Sequence, residues 1–369
     1  MAVSISPLSL SETRPAPAPR VHDWLHLVQT GVQGALAELL ELPDEARLDA
    51  RWTEALGEVR SYALRPAKRL RPALVVAGYA LARADEEVPE GLWRFAAALE
   101  LLHTFLLIHD DVADRADLRR GGPALHRMLA PGRIGEDLAV VLGDHLFARS
   151  LEAMLASGLP GAARTSRYYL GVCRHTAAGQ YLDLDLGRVP LADVRLRQAL
   201  KVAHLKTARY GFCAPLVCGA MLAGADSPLE GRALIAALER VGRHAGRAYQ
   251  LRDDLLGLFG DTQLAGKPGE GDFQQGKRSY PVLAAYVRAG PAQRAELERL
   301  WALPAQEKDA AALARARALI ETCGGREACE RAVAQASRCA QGALQSLPEG
   351  RGVRALLAEL IGRLARRVA

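Results

Sequence analysis

Aromatic side chains make up only 5% of this 369-residue chain, and runs of β-branched residues are scarce. No segment alternates apolar and polar residues as a half-buried strand would. Alanine, leucine, arginine and glutamate dominate instead, and this composition favours helices. The chain is long enough to bury a large core. We therefore expect an all-α fold, with a disordered Ser- and Pro-containing leader over residues 1–20 and a single helical domain over 21–369.

The six cysteines form no Cys-x-x-Cys pair and no spacing with histidine that is typical of a metal site. This pattern indicates reduced thiols in a cytoplasmic protein rather than a disulfide framework. No secretory signal is visible, and no uninterrupted apolar run reaches the ~20 residues of a membrane span. The net charge is +6, but the arginines are spread along the chain. We expect an anionic small-molecule substrate, no nucleic-acid partner and no stable membrane insertion.

An apolar run ends in a cluster of acidic residues near position 110. Asp110, Asp111 and Asp114 follow the letters FLLI after a single histidine. Residues four apart on a helix share a face, so Asp110 and Asp114 would lie together, with His103 two turns earlier. Like charges at this spacing repel unless a cation neutralises them. Such oxygen ligands suit Mg²⁺, which binds one or two carboxylates plus substrate phosphates.

Two arginines come next, and a second acidic pair lies much further along the chain. Arg119 and Arg120 are of the residue type that binds phosphate oxygens through two parallel hydrogen bonds. The segment therefore predicts a diphosphate site, although an acidic quartet taken alone is more often a solvated helix end. Asp253 and Asp254 are again embedded among leucines. The repetition favours a two-sided metal cage.

Further basic residues could serve the same diphosphate. Pro72 can occupy the first turn of a helix, so Lys68 and Arg71 would lie beside a helix N-terminus, which favours an anion. An ordinary basic loop is an equally good interpretation. Lys206 could bind phosphate, or its stem could simply extend along the surface. The Gly-rich basic segment 266–278 could fold over a bound diphosphate as a lid.

In their order along the chain, these motifs resemble those of the trans-isoprenyl diphosphate synthases, the polyprenyl synthetase family, over roughly residues 60–290. The matching pieces are KRLRP (68–72), LLHTFLLIHDDVADRADLRRGGP (101–123), GD (143–144), GQYLDL (179–184), KT (206–207), YQLRDDLLGLFGD (249–261), GKP (266–268) and GDFQQGKRSYP (271–281). The resemblance implies the isoprenoid synthase fold, a helical bundle around a deep central cavity, usually as a homodimer.

The resemblance also implies a reaction and its residues. The reaction is Mg²⁺-dependent head-to-tail (1′-4) condensation of isopentenyl diphosphate with dimethylallyl, geranyl or farnesyl diphosphate, with three Mg²⁺ ions when substrate is bound. The implied metal ligands, which with Lys206 form the catalytic set, are Asp110, Asp111, Asp114, Asp253 and Asp254. The residues implied to bind the allylic diphosphate are Arg119, Lys206, Gln250, Lys267 and Lys277, with Thr207 as a further substrate-binding residue. Those implied for isopentenyl diphosphate are Lys68, Arg71, His103 and Arg120.

Product length in this family depends on side-chain bulk below the first acidic motif. A helical wheel alone would choose Leu106 and Leu107, whereas the resemblance assigns the floor to Phe105. An aromatic residue there, with no insertion in the DDxxD motif, resembles short-chain synthases that make all-trans C15 to C20 products. We expect geranylgeranyl diphosphate (C20) in preference to farnesyl diphosphate (C15).

The sequence departs from the family pattern in three places. Pro66-Ala67 replaces a common glycine pair, Gly257 stands where many members have a third aspartate, and Ser279 replaces a usual threonine. We expect weaker or water-mediated metal binding at Gly257.

A class I terpene cyclase also uses DDxxD and Mg²⁺ but lacks an isopentenyl diphosphate pocket. A non-catalytic regulatory subunit of a prenyl synthase would be expected to lose aspartates that this chain retains.

Overall fold

The computed structural model describes residues 20–42, 44–83, 87–225, 229–260, 271–350 and 352–367. Apart from one hairpin of two-residue strands, the regular structure of these residues is helical, so the all-α prediction is confirmed. The predicted leader, except its last residue, and the predicted phosphate ligand Lys267 lie outside the described residues.

Sixteen α-helices of the described chain are numbered here in order. They are α1 Val21–Leu39, α2 Ala50–Ala63, α3 Leu70–Ala82, α4 Glu90–Ala113, α5 Leu125–Leu129, α6 Gly132–Leu155, α7 Ala162–Leu186, α8 Leu196–Val202, α9 Ala214–Leu222, α10 Leu229–Phe259, α11 Gly271–Gln274, α12 Tyr280–Arg288, α13 Pro291–Ala302, α14 Ala310–Thr322, α15 Gly325–Leu344 and α16 Val353–Ala365. The two strands are β1 Leu118–Arg119 and β2 Gly122–Pro123.

The helices group into two compact units. Unit 1 comprises the described parts of Met1–Tyr169, Pro215–Ala236 and Leu347–Leu357, and unit 2 those of Leu170–Ala214, Ala237–Ser346 and Ala358–Ala369. The single domain over 21–369 stays a prediction.

Helix α4 lies at the centre of unit 1, where it packs against α1, α3 and α6. Its residues from Phe95 to Leu102 are all buried. By length and composition α4 could cross a membrane, but 61% of its apolar window is buried inside the protein, as in the core helix of a globular fold. The C-terminal end of this buried helix carries the first acidic motif.

A π-helical segment, Ala203–Cys213, lies between α8 and α9. Glycines on two neighbouring helices allow close approach to its backbone. A Cβ on Gly179 of α7 would lie 2.6 Å from the backbone nitrogen of Lys206, and one on Gly246 of α10 would lie 2.4 Å from the Cα of Ala208. Irregular helical segments of this kind are frequent at functional sites, and this one carries Lys206 and Thr207.

Candidate active site

The hairpin β1–β2 presents the arginine pair directly after α4. Leu118 pairs with Pro123 and Arg119 with Gly122. The two central residues, Arg120 and Gly121, have φ values of 51° and 74°. Positive φ at both central positions is the pattern of a type I′ turn, whose twist suits a two-residue hairpin.

Arg65, two residues after the end of α2, binds this hairpin through its guanidinium group. Its Nη1 donates to the backbone oxygens of Arg119 at 3.0 Å and Pro123 at 2.7 Å. A Cβ on Gly122 would lie 2.9 Å from the Cζ of Arg65, so glycine gives the guanidinium room to pass. Sequence analysis missed Arg65, because nothing in the local sequence distinguishes it from other surface arginines.

Asp111 is the most buried member of the first acidic motif. It accepts hydrogen bonds from Arg119 Nε, at 2.8 and 3.1 Å, and from the Tyr62 hydroxyl at 2.9 Å. Burial and the Asp111 charge raise the pKa of Tyr62, which keeps this hydroxyl protonated as a donor. Burial alone would lower the pKa of Arg119, but its hydrogen bond and charge interactions with Asp111 and Asp110 raise it overall. Arg119 therefore remains a cation.

Asp110 and Asp114 are less enclosed. The Oδ2 of Asp110 is 3.6 Å from Arg119 Nη2, and 21% of the Asp110 side chain is exposed, against 1% for Asp111. Asp114 is the C-terminal cap of α4, and its backbone nitrogen donates to the backbone oxygen of Asp110 at 2.8 Å. The predicted one-turn spacing of these two residues is therefore present. Asp110 retains exposed carboxylate surface that a ligand can reach.

A buried glutamate, Glu100, holds the other arginine of the hairpin. It is 2% exposed and accepts from Arg120 Nη2 at 2.9 Å and from Arg69 Nη1 at 2.6 Å. Arg69 has a left-handed backbone, with φ of 45°, immediately before α3. Sequence analysis overlooked Glu100, although a lone charge inside the apolar run of α4 was an available signal.

His103 lies among the basic residues predicted to bind isopentenyl diphosphate. Burial, followed by the charges of Arg71 and Arg120, lowers its pKa well below the ordinary value, so the ring is neutral. A neutral imidazole offers one N–H donor rather than a positive charge. Arg71 and Pro72 lie in the first turn of α3, as predicted.

In unit 2, hydrogen bonds link the π-helical segment to the second acidic motif on α10. Thr207 Oγ1 donates to Gln250 Oε1, and Gln250 Nε2 donates to Asp254 Oδ1 at 2.8 Å. Lys206 Nζ donates to Asp183 Oδ2 at 2.8 Å. Lys206, Thr207, Gln250 and Asp254 were all predicted, and the structure brings the last three together.

The two aspartates of the second motif have different environments. Asp254 also accepts from the Tyr280 backbone nitrogen at 3.2 Å. Burial raises its pKa to about 7; the Gln250 hydrogen bond opposes this shift and the charge of Asp272 adds to it. Asp253 is half exposed and forms an ion pair with Arg367 near the C-terminus. The sequence contained no signal for this distant partner.

Lys277 and Asp272 form a further ion pair in unit 2, with 3.5 Å between Nζ and Oδ1. Burial raises the pKa of Asp272, and Lys277 opposes that shift. The neighbouring Arg278 is 9% exposed and donates through Nε to the backbone oxygen of Val189 at 2.9 Å. Arg278 thus has a structural role, while residues 266–270 of the predicted lid lie outside the described residues.

Among the residues that the structure covers, no three His, Cys, Asp or Glu side chains gather around a point that could hold a metal ion. Within unit 1 the candidate donors are carboxylate oxygens such as those of Asp110, and within unit 2 those of Asp253. Mg²⁺ usually binds to one or two carboxylates and completes its shell with phosphate oxygens and water. The donors of each unit, taken by themselves, therefore fit Mg²⁺ bound together with a diphosphate.

Phe105 belongs to a small aromatic cluster between α4 and α6. Its ring centre is 4.6 Å from that of His109 and 5.2 Å from that of Phe147. A Cβ on Gly143 would lie 2.5 Å from His109 Nε2 and 3.5 Å from Phe105 Cδ2. The side chain predicted as the floor is therefore supported by Phe147, a residue that sequence analysis did not single out.

Comparison with solved structures defines the class of protein. A geranylgeranyl pyrophosphate synthase from Corynebacterium glutamicum, solved as a complex with isoprenyl diphosphate and magnesium, superimposes with a TM-score of 0.82 at 30% identity, covering 95% of this chain and 100% of that one. The fold is therefore that of the isoprenoid synthases.

Sequence comparisons define the family. The polyprenyl synthetase family model matches residues 53–320. A geranylgeranyl diphosphate synthase of Mycobacterium tuberculosis is 35% identical over 288 residues, which cover 76% of this chain and 75% of that protein. A short chain isoprenyl diphosphate synthase of Methanothermobacter thermautotrophicus is 35% identical over 231 residues, 62% of this chain and 66% of that protein. The chain belongs to the polyprenyl synthetase family, and it is a prenyltransferase of the kind that makes short-chain trans-prenyl diphosphates.

Proposed function

We propose that the protein condenses isopentenyl diphosphate head-to-tail with an allylic diphosphate, with Mg²⁺ as cofactor. The observation that carries this proposal is the convergence at the end of α4. Asp110 lies 3.6 Å from Arg119, and Arg120 is oriented by the buried Glu100. The buried Nη1 of Arg120 has no acceptor among the described residues, so it can donate to a phosphate oxygen. Carboxylates for a metal and donors for a phosphate thus occur together.

The second acidic motif supplies the remaining carboxylates in this proposal. Mg²⁺, three ions with substrate present, would be held by Asp110, Asp111, Asp114, Asp253 and Asp254. When bound, Mg²⁺ neutralises the charge that accumulates on diphosphate as it leaves an allylic carbon.

We assign the substrate-binding side chains to two groups, one for each diphosphate substrate. The side chains that we assign to the allylic diphosphate are Arg119, Lys206, Gln250, Lys267 and Lys277, with Thr207 as a further substrate-binding residue. Those assigned to isopentenyl diphosphate are Lys68, Arg71, His103 and Arg120. Because the pKa of His103 is lowered, this residue donates a hydrogen bond, while the neighbouring arginines supply the positive charge. Fixed charges of this kind stabilise the departing diphosphate without reorganisation.

The aromatic cluster supports a short product. Phe105 packs on Phe147, so its ring cannot swing aside without losing that contact. We propose Phe105 as the floor, with Leu106 beside it, and geranylgeranyl diphosphate as the product in preference to farnesyl diphosphate. In this proposal Phe105→Ala lengthens the product, and an unchanged length would remove Phe105 as the floor.

We further propose a homodimer in the cytoplasm, without nucleic acid or stable membrane insertion. Helix α6 exposes Ile134, Leu138 and Val141 at 64%, 46% and 57%. These residues are spaced four and three apart, so they form one stripe on the helix. A contiguous exposed apolar stripe is typical of a protein–protein contact. Sedimentation equilibrium of the wild type and of Val141→Glu would test this contact.

The experiment that tests the reaction is incubation of the purified protein with Mg²⁺, isopentenyl diphosphate and each allylic diphosphate, with products analysed by mass spectrometry. We expect a C20 diphosphate that forms only with Mg²⁺. A cyclic hydrocarbon would identify a terpene cyclase. Lack of turnover with every allylic substrate would instead favour a regulatory subunit.

A further inference from the structure

Two basic side chains of unit 2 are buried beside each other. Arg278 is 9% exposed, and Lys308, two residues before α14, is 7% exposed. A Cβ on Gly276 would lie 3.2 Å from Lys308 Nζ and 3.4 Å from Arg278 Nη1. Both cationic groups therefore face the same point next to the backbone of Gly276.

Within the described chain, neither of these side chains forms an ion pair with a carboxylate. Arg278 donates to backbone oxygens, through Nε and Nη2 to Val189 at 2.9 and 2.6 Å and through Nη1 to Gly276. Lys308 Nζ donates to the Gln274 backbone oxygen at the long distance of 3.5 Å. An ammonium group has three N–H donors, so most of the hydrogen-bonding capacity of Lys308 is unused.

Two enclosed cations elsewhere in the structure do have an acidic partner. Arg69 is paired with Glu100, and Lys206 is paired with Asp183. Burial of a cation without such a partner is strongly unfavourable, because the charge loses its hydration and gains no attraction in return. A second cation alongside adds repulsion. The pair formed by Arg278 and Lys308 therefore lacks a negative charge.

Loss of a proton from Lys308 does not remove this repulsion at neutral pH. Burial, followed by the charge of Arg278, lowers the pKa of Lys308 to about 8. At pH 7 the amine thus remains mostly protonated. The ring of Phe273, whose centre is 5.3 Å from Lys308 Nζ, offers a favourable aromatic contact but no negative charge. An anion from solution would satisfy both cations.

Gly276 leaves space for such an anion. Its φ is 66°, a left-handed conformation that suits glycine, and it places no side chain in front of the two cations. Apart from residues adjacent in the chain, the next atom near that point is the Gly187 backbone oxygen, 3.8 Å away. Because both basic side chains are more than nine-tenths buried, a polyatomic anion has little room there, whereas a monatomic anion can contact both.

We propose that Lys308 and Arg278 bind a small monovalent anion, such as chloride, beside Gly276. The anion accepts hydrogen bonds from Lys308 Nζ and supplies the counter-charge that both cations lack. It thereby joins the turn after α7, which contributes Val189, to the segment after α11 and to the chain before α14. No substrate contact is involved, so this inference does not depend on the proposed function.

The test is the unfolding temperature of the full-length protein at pH 7 as sodium chloride replaces sodium gluconate at constant ionic strength. A ligand that binds only the folded state raises this temperature, here by about 2 °C for each tenfold rise in chloride once the site is mostly filled. Lys308→Met removes the ammonium group, retains a long apolar side chain and should abolish the response. Lys201→Met, at an exposed lysine of α8, is the matched control and should respond as the wild type does.

A pair of substitutions at Gly276 tests the position of the site. Aspartate and asparagine both tolerate a left-handed backbone and have nearly the same shape, but only aspartate brings a negative charge to the two cations. Gly276→Asp should therefore unfold at a higher temperature than Gly276→Asn in gluconate. Gly276→Asp should also no longer respond to chloride, because its own carboxylate replaces the anion.

The outcomes that contradict the site are equally specific. A wild type that is insensitive to chloride would overturn the inference, as would a Lys308→Met variant that keeps the wild-type response. An equal loss of response in Lys201→Met would also overturn it, because the effect would then reflect general surface charge. Equal unfolding temperatures of Gly276→Asp and Gly276→Asn would have the same consequence. Circular dichroism establishes that the variants are folded, and if Lys308→Met is not, the comparison at Gly276 decides.

Discussion

In unit 1 the enclosed carboxylates are held by arginines, whereas in unit 2 Asp254 is held by an amide and a backbone N–H group. Asp111 is bonded to Arg119, and Glu100 to Arg69 and Arg120. Asp254 receives its hydrogen bonds from Gln250 and from the Tyr280 backbone. The first set is neutralised inside the protein, but the charge of Asp254 is left largely uncompensated, as its raised pKa indicates.

The difference indicates which carboxylates are held rigidly and which are suited to bind an incoming cation. A carboxylate between two guanidinium groups is fixed, and removal of one partner leaves buried charge. A desolvated carboxylate without such a partner is held at a cost to stability, and it gains most from an incoming cation. We infer that Glu100 mainly orients Arg120, while Asp254 is prepared for a metal.

The largest expected effect is on turnover. Asp110→Ala and Asp253→Ala should each lower kcat/KM by about a hundredfold to a thousandfold, because each removes electrostatic stabilisation at the departing diphosphate. The exposed Asp137→Ala on α6 is the control and should retain activity. Steady-state kinetics with geranyl diphosphate would measure the change, and full activity of both variants would remove the metal assignment.

A comparison of two amide substitutions would test the contrast between the units directly. Glu100→Gln leaves Arg69 and Arg120 buried without a counter-charge and should cost about 3–5 kcal/mol. Asp254→Asn removes a desolvated charge and should leave the metal-free protein as stable as the wild type, or more so, at pH 8. Urea unfolding in EDTA gives both values, with Glu90→Gln on the exposed end of α4 as the control. Equal losses would contradict the distinction.

The raised pKa of Asp254 should also make the free energy of unfolding depend on pH. The pKa of Asp254 is about 7 in the folded chain, and that of an unfolded aspartate is about 3.9. The folded state binds more protons between these values, so Asp254 should make the unfolding free energy fall as pH rises from about 4 to about 7. The slope should approach about 1.4 kcal/mol per pH unit and disappear in Asp254→Asn. A variant with the wild-type slope would show that other groups cause it.

The smallest expected effect follows from removal of the Tyr62 hydroxyl, which donates a hydrogen bond to Asp111. Tyr62→Phe removes one donor to a charged, buried acceptor and should cost about 1.5–3 kcal/mol. Because Arg119 still binds Asp111, the loss of activity should be smaller than for Asp110→Ala. Urea unfolding and kinetics of the same preparation measure both quantities, and a larger kinetic than structural effect would indicate direct contact between Tyr62 and substrate.

Sequence analysis predicted the helical fold and the acidic ends of α4 and α10, because these depend on local periodicity. It could not predict Glu100, Arg65 or Arg367 as partners, because these contacts join positions 20 to 114 residues apart.

Three residues of the described chain other than glycine have positive φ, namely Arg69, Arg115 and Arg120. A left-handed backbone costs a side-chain-bearing residue about 1–2 kcal/mol, a cost that glycine avoids. At Arg69 and Arg120, however, glycine would remove a partner of the buried Glu100, a loss of about 3–5 kcal/mol that exceeds the gain. Directed evolution for heat resistance should therefore keep Arg120, and with it a donor proposed for isopentenyl diphosphate. Of the three positions, only Arg115 should tolerate glycine with a gain in stability.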